Sequence, residues 1–241
     1  MADPGYEAPY RAAEFIGAKV HRVALRPDYS HDVKAMVAAD PSAGLFYICN
    51  PNNPTGTITS KEDIAWLIAN KPKGSILLLD EAYIHFSEAE MGSPLVAQGK
   101  DVIVLRTFSK AYALAGMRLG MALGRPDLLT KMAPFGGSAI VPITAVVAAT
   151  ASIRAAGLIP ARRKANAETR AGVFNFLEQK KFSYIPSSTN FFMLETHRPG
   201  NELATAMMKE KILIGRTWPA WPTKCASPSD RKKRWGASRR R

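Results

Sequence analysis

Apolar residues gather into short unbroken runs along the first half of the chain. Residues 43–49, AGLFYIC, form one such run and end in the stretch NPNNPTG, which predicts a buried strand followed by a turn. SKEDIAWLIANK comes next, with Ser60 at a capping position and Asp63 three residues on. That spacing predicts a helix starting at the serine. SILLLDEAY and DVIVLRTF repeat the buried-strand pattern, and GMRLGMALG predicts a further strand. Continuous apolar strands separated by helix-sized segments predict a mainly parallel sheet covered on both faces.

The second half reads differently. Pro126 stands at a first helical position for residues 126–134, where its missing N–H costs nothing. The pattern is then helical from about Pro142 to Lys181, broken near AAGLIPARR. TNFFMLE predicts a strand, GNELATAMMKEK a helix and ILIGR a strand. The fold class is therefore α/β. Residues 1–137 form a large, mainly parallel-sheet domain, residues 138–224 a small C-terminal α/β domain, and residues 225–241 a basic tail.

Composition narrows the classes. Hydrophobic residues make up 46% of 241, enough for a packed core. No run of about 18 apolar residues is present, so no membrane-spanning helix is expected. The opening MADPGYEAPY has neither the basic region nor the apolar stretch of a secretory signal. Cys49 and Cys225 are the two cysteines. They build no disulfide framework and suit a reducing, cytoplasmic setting. Cys49 reads as a small core residue, with no base to activate its thiol. His21, His31, His85 and His197 show no metal-ligand spacing. The net charge is +13, of which +7 falls in residues 224–241. The body is only mildly basic, which suits an enzyme that binds anions better than a nucleic-acid-binding protein.

In a parallel sheet, ligands bind beyond the carboxyl ends of the strands. Asn53, Asp80 and the Ser109–Lys110 pair each follow an apolar strand. Singly, these are a turn, a helix cap and a surface lysine. Together they bring polar groups from three strand ends to one crevice.

NPNNPTG, LLLDEAYIHF and RTFSKAYALAGMRLG, in this order, resemble the fold-type I pyridoxal-phosphate aminotransferases of class I/II. The histidinol-phosphate aminotransferase branch is the most similar. Asn53 and Asp80 are 27 residues apart, Asp80 and Lys110 are 30, and Lys110 and Arg118 are 8. The resemblance runs from about residue 4 to 224 and implies the site. Lys110 is then the catalytic Schiff-base lysine, its amine kept neutral by a semi-buried setting near another cation. Asp80 keeps the pyridine nitrogen of pyridoxal 5'-phosphate protonated, so the ring can act as an electron sink. Asn53 and Tyr83 donate to the ring's phenolic oxygen. Ser109 and Arg118 hold the phosphate, and Tyr6 stacks on the ring. Arg216 receives an anionic group of the substrate.

The implied activity moves an amino group from an amino acid or histidinol phosphate to a 2-oxo acid, by a ping-pong route in amino-acid biosynthesis. The implied assembly is a homodimer. The alternatives are an amino-acid decarboxylase of the same fold, and an inactive remnant whose basic tail binds nucleic acid. The chain departs from the family at both ends. It opens just before the stacking tyrosine, without the Gly/Ser turn that cradles the phosphate. Its tail, CASPSDRKKRWGASRRR, lacks apolar periodicity where the family has a strand and a helix. Permissible codons for this stretch, read in a shifted frame, can encode VRVTVGSQEEM there, with an arginine where Ala226 stands. An N-terminal truncation and a C-terminal frameshift are the expectation, with weak or absent transaminase activity.

Overall fold

The computed structural model describes residues 1–136, 140–215 and 217–229. Its strands are β1 (Ala2–Asp3), β2 (Val23–Ala24), β3 (Leu45–Cys49), β4 (Ile76–Asp80), β5 (Val102–Thr107), β6 (Gly120–Leu123), β7 (Tyr184–Ile185), β8 (Phe191–Glu195), β9 (Thr217–Trp218) and β10 (Trp221–Pro228). Its α-helices are α1 (Ala8–Phe15), α2 (Val33–Ala39), α3 (Lys61–Asn70), α4 (Ser93–Ala97), α5 (Pro126–Met132), α6 (Ile143–Arg154), α7 (Leu158–Gln179) and α8 (Gly200–Lys209). None of these helices alone is long and apolar enough to cross a membrane.

The first sheet has the order β3-β4-β5-β6. The β3, β4 and β5 strands run parallel and β6 is antiparallel to β5. The Ser60 hydroxyl accepts from the Asp63 N–H at 3.0 Å and starts α3, satisfying one of the helix's orphan donors. Ile64 and Leu67 of α3 then pack with Val33 and Met36 of α2 onto Phe46, Ile48, Leu77, Leu79, Val102 and Val104. These six strand residues share one face by the two-residue alternation of a strand. Each fully buried aliphatic side chain contributes about 1.5–3 kcal/mol.

The opposite face differs from the expected two-sided cover. Tyr47, Cys49 and Ile103 are buried there, whereas Ile76, Leu78 and Leu105 remain partly exposed and Leu45 is 54% exposed. The helices α2 and α3 both pack on the other face, so the apolar runs mark strands without guaranteeing a second layer.

The second sheet has the order β7-β8-β10-β9, with every pairing antiparallel. Val173 and Leu177 of α7 pack on Phe192 of β8. The expected helical region breaks within AAGLIPARR, as its sequence predicts: α6 and α7 meet at residues 155–157 with a bend of 79°. The start of α7 docks on the first sheet's loops: Arg163 Nε donates to the His85 carbonyl at 3.1 Å, and Arg162 Nη1 donates to the Ala111 carbonyl.

Two expectations need correction. Residues 212–215 of ILIGR form no strand. A single backbone bond from Gly215 N–H to the Ala226 carbonyl, at 3.0 Å, ties them to β10, and Leu213 points to solvent. Residues 225–228 are not tail-like: β10 runs through them, pairing Cys225 with Leu194 and Pro228 with Phe191. Backbone pairing and a buried Cys225 suffice there without alternating large apolar residues. Residues 230–241 lie outside the described residues.

Candidate active site

The β4 strand ends at Asp80 and delivers its carboxylate to the thinly covered face. The Tyr47 hydroxyl, from β3, donates to Asp80 Oδ2 at 2.7 Å, and the Ala82 N–H donates to Oδ1 at 3.0 Å. The register pairs Cys49 with Asp80, so Tyr47 and Cys49 share the face of the carboxylate. Burial pushes the Asp80 carboxyl above its usual range, while the Tyr47 and Ala82 bonds and the nearby Lys110 charge act against that push.

Asn53 sits in the turn after β3. Asn52 N–H to Thr57 carbonyl at 2.8 Å and Gly56 N–H to Asn52 carbonyl at 2.7 Å close this turn. Gly56 has φ +72, and a Cβ there would fall 1.9 Å from Ser187 Oγ. Only glycine fits a turn pressed this closely against the second sheet's approach loop.

The β5–β6 connection explains the spacing of Ser109, Lys110 and Arg118. Thr107 pairs with Gly120, and Phe108 N–H donates to the Leu119 carbonyl at 3.1 Å. Ser109 and Arg118 therefore sit two residues beyond Thr107 and Gly120 on facing arms. Arg118 itself takes the left-handed conformation, φ +53, and its Nη1 donates to the Ala115 carbonyl at 2.8 Å. The segment is more open than its composition suggests. Phe108 and Ala111 are buried, whereas Lys110, Gly116, Met117 and Arg118 are exposed. Desolvation is the main cause lowering the Lys110 amine from its ordinary value, and Arg118 adds to it; Asp80 and Cys49 pull the other way.

Two aromatic residues complete the rim. Tyr83 is buried, packs edge-on against Phe191 at 4.9 Å, and places its ring centre 5.1 Å from Lys110 Nζ. Tyr6 follows a segment tied down by the second sheet, where Trp218 Nε1 donates to the Gly5 carbonyl at 3.3 Å. Tyr6, Asn53, Asp80, Tyr83, Ser109, Lys110 and Arg118 thus line one cavity of about 490 Å³. Arg216 lies outside the described residues.

Sequence reasoning missed Tyr47. Its signal was a lone hydroxyl-bearing aromatic inside an aliphatic strand, two residues before Cys49. The neighbouring Glu81 went unnoticed too. It points to the helix-covered face, is buried, and accepts from Arg106 Nε at 2.8 Å and from the Gly92 N–H. A buried ion pair of this kind joins the ends of β4 and β5.

Two adjacent parallel strands thus present a half-buried carboxylate and a lysine amine to one cleft, with an arginine on the returning arm. Residues 1–223 match the family of class I and II aminotransferases, and the chain belongs to that family. The family uses pyridoxal phosphate. Curated relatives include histidinol-phosphate aminotransferases from Bacillus cytotoxicus, 36% identical over 222 residues, and from Lysinibacillus sphaericus, 31% identical over 218. Each alignment covers 89% of this chain and 59% of the relative, so the chain spans about three-fifths of the length of those proteins. A crystal structure from Erwinia carotovora atroseptica, described only as a candidate histidinol-phosphate aminotransferase, superposes with a TM-score of 0.91 at 32% identity. That match covers 98% of this chain and 70% of the other. The Sinorhizobium meliloti histidinol-phosphate aminotransferase in complex with pyridoxal-5'-phosphate gives a TM-score of 0.87 at 22% identity, covering 97% of this chain and 66% of that one. The latter likeness is one of fold.

Proposed function

We propose that the chain forms the cofactor-holding part of a pyridoxal-phosphate-dependent aminotransferase that moves an amino group from histidinol phosphate to a 2-oxo acid. The observation that carries this reading is the convergence of Lys110, Asp80, Asn53, Tyr83, Ser109 and Arg118 on one cavity. The donor set fits the cofactor: an amine for its aldehyde, a carboxylate for its protonated ring nitrogen, and a hydroxyl and guanidinium for its phosphate. A volume of about 490 Å³ also suits a ligand of that size together with a substrate.

Bound there, pyridoxal phosphate supplies an electron sink for the bond broken at the substrate's α-carbon. Lys110 would hold the aldehyde carbon, and its free amine would carry a proton to and from the substrate's α-carbon. It can do so only as a neutral amine, which the desolvation of its site favours. Asp80 keeps the ring nitrogen protonated. Ser109 and Arg118 grip the phosphate, the guanidinium as a planar fork. Tyr6 covers the ring face, and Asn53 and Tyr83 donate to its phenolic oxygen. Arg216 receives the anionic group of the substrate.

This reading includes a homodimer. Ile143 is 73% exposed and Val147 61% on α6, and Phe135, earlier in the sequence, is 90% exposed. Exposed apolar side chains of this kind support a partner surface. The function is tested by adding histidinol phosphate to the pyridoxal-phosphate complex. Loss of the pyridoxal absorbance, restored by 2-oxoglutarate, supports it. An unchanged spectrum with a wide panel of amino donors contradicts it.

A further inference from the structure

We propose that Tyr47 is a positioning residue for the cofactor: its hydroxyl fixes the Asp80 carboxylate in the orientation and charge state that a protonated ring nitrogen requires. The proposal rests on the cofactor reading above and adds a residue to it.

Tyr47 is buried within β3, on the same face as Cys49 and Asp80. The register sets Tyr47 opposite Leu78 and Cys49 opposite Asp80. A side chain at position 47 must therefore reach forward along the strands to touch the carboxylate, and a phenol has that length. The contact is short, 2.7 Å from Tyr47 Oη to Asp80 Oδ2. The other oxygen accepts the Ala82 N–H at 3.0 Å. Each carboxylate oxygen thus has one donor and keeps further acceptor capacity, and Asp80 lines the cavity.

The charge state follows from the same contact. Burial alone favours the neutral acid at Asp80, and a neutral acid would not stabilise a protonated ring nitrogen. A hydrogen bond donated to the carboxylate favours the ionised form. Tyr47 is suited to be a permanent donor, because burial and the adjacent Asp80 charge push its own ionisation far above the usual range. No other side chain among the described residues donates a hydrogen bond to Asp80.

The test compares two ligands and two backgrounds. Tyr47→Phe keeps the ring and removes only the donor. It should weaken pyridoxal phosphate binding about 10-fold, the loss of one hydrogen bond to a charged group. The same change should leave binding of the 1-deaza analogue, which has a C–H in place of the ring nitrogen, within about twofold. Adding Tyr47→Phe to Asp80→Ala should likewise change pyridoxal phosphate affinity by less than about twofold, whatever the stability of the single variant. Equal losses for both ligands, or an undiminished loss in the Asp80→Ala background, would make Tyr47 a packing residue and overturn the proposal. Natural-sequence protein that binds neither ligand would overturn the cofactor reading itself, and this inference with it.

Discussion

The Lys110 Nζ lies 5.1 Å from the centre of the Tyr83 ring, and that ring packs edge-on against Phe191 of the second sheet. One aromatic residue therefore links the proposed cofactor lysine to both halves of the structure. Its ring and its hydroxyl do different work, and substitutions separate them. Tyr83→Phe should keep the midpoint of urea unfolding nearly unchanged and weaken pyridoxal phosphate binding about 10-fold. Tyr83→Ala should also cost about 3–5 kcal/mol of stability, because it empties a buried aromatic site.

Arg118 reaches the cavity from the returning arm of the β5–β6 connection, and its proposed target is the phosphate. Arg118→Ala should weaken pyridoxal phosphate about 10-fold or more, by loss of a charge-assisted contact. It should change the affinity for unphosphorylated pyridoxal by less than about twofold. Absorbance titration with the two ligands makes the comparison. Equal losses would move Arg118 away from the phosphate.

Gly56 couples the NPNNPTG turn to the second sheet. Gly56→Ala adds strain at φ +72 and sets a Cβ 1.9 Å from Ser187 Oγ, so it should cost about 2–4 kcal/mol. It should also weaken cofactor binding, because Asn53 belongs to the same turn. Gly99 has φ +70 but nothing within 4 Å of an added Cβ. Gly99→Ala should therefore cost only about 1–2 kcal/mol and leave cofactor affinity alone.

His31 makes stability depend on pH. It is buried against Thr59 at 2.7 Å, and burial lowers its pKa from 6.5 to about 3. Above pH 6.5 the imidazole is neutral whether the chain is folded or not, and no penalty applies. Below pH 6.5 the unfolded chain takes up a proton that the folded chain refuses. Stability then falls by about 1.4 kcal/mol per pH unit until the pH nears about 3. His85, lowered to about 4, adds to the same trend. Urea unfolding at pH 7 and pH 5.5 measures the slope, and His31→Gln should reduce it by about one proton's worth.

How much of this was legible in the sequence depended on how local the signal was. Ser60 and Asp63 state a cap in four residues, and α3 begins there. The β3, β4 and β5 strands were legible as aliphatic runs, and the candidate site residues at their ends as a spaced set that lines one cavity. What covers each face was not, because a continuous apolar strand records burial potential and not the neighbour that realises it. ILIGR has strand-like residues, but its described part, residues 212–215, meets β10 through one backbone bond among the described residues. Residues 225–228 have poor strand composition yet pair with β8, since backbone hydrogen bonds do not depend on side-chain type. Tyr47 stayed hidden for another reason. Its meaning lies in a contact with a strand 33 residues away, which strand periodicity cannot express.

The central claim is that Lys110 holds the cofactor, and borohydride reduction tests it most directly. The protein is incubated with pyridoxal phosphate, reduced, digested, and the modified peptide sequenced by mass spectrometry. The account predicts a pyridoxyl group on Lys110, absent from Lys110→Ala. A folded protein that carries the label on another lysine, or takes none, would contradict it.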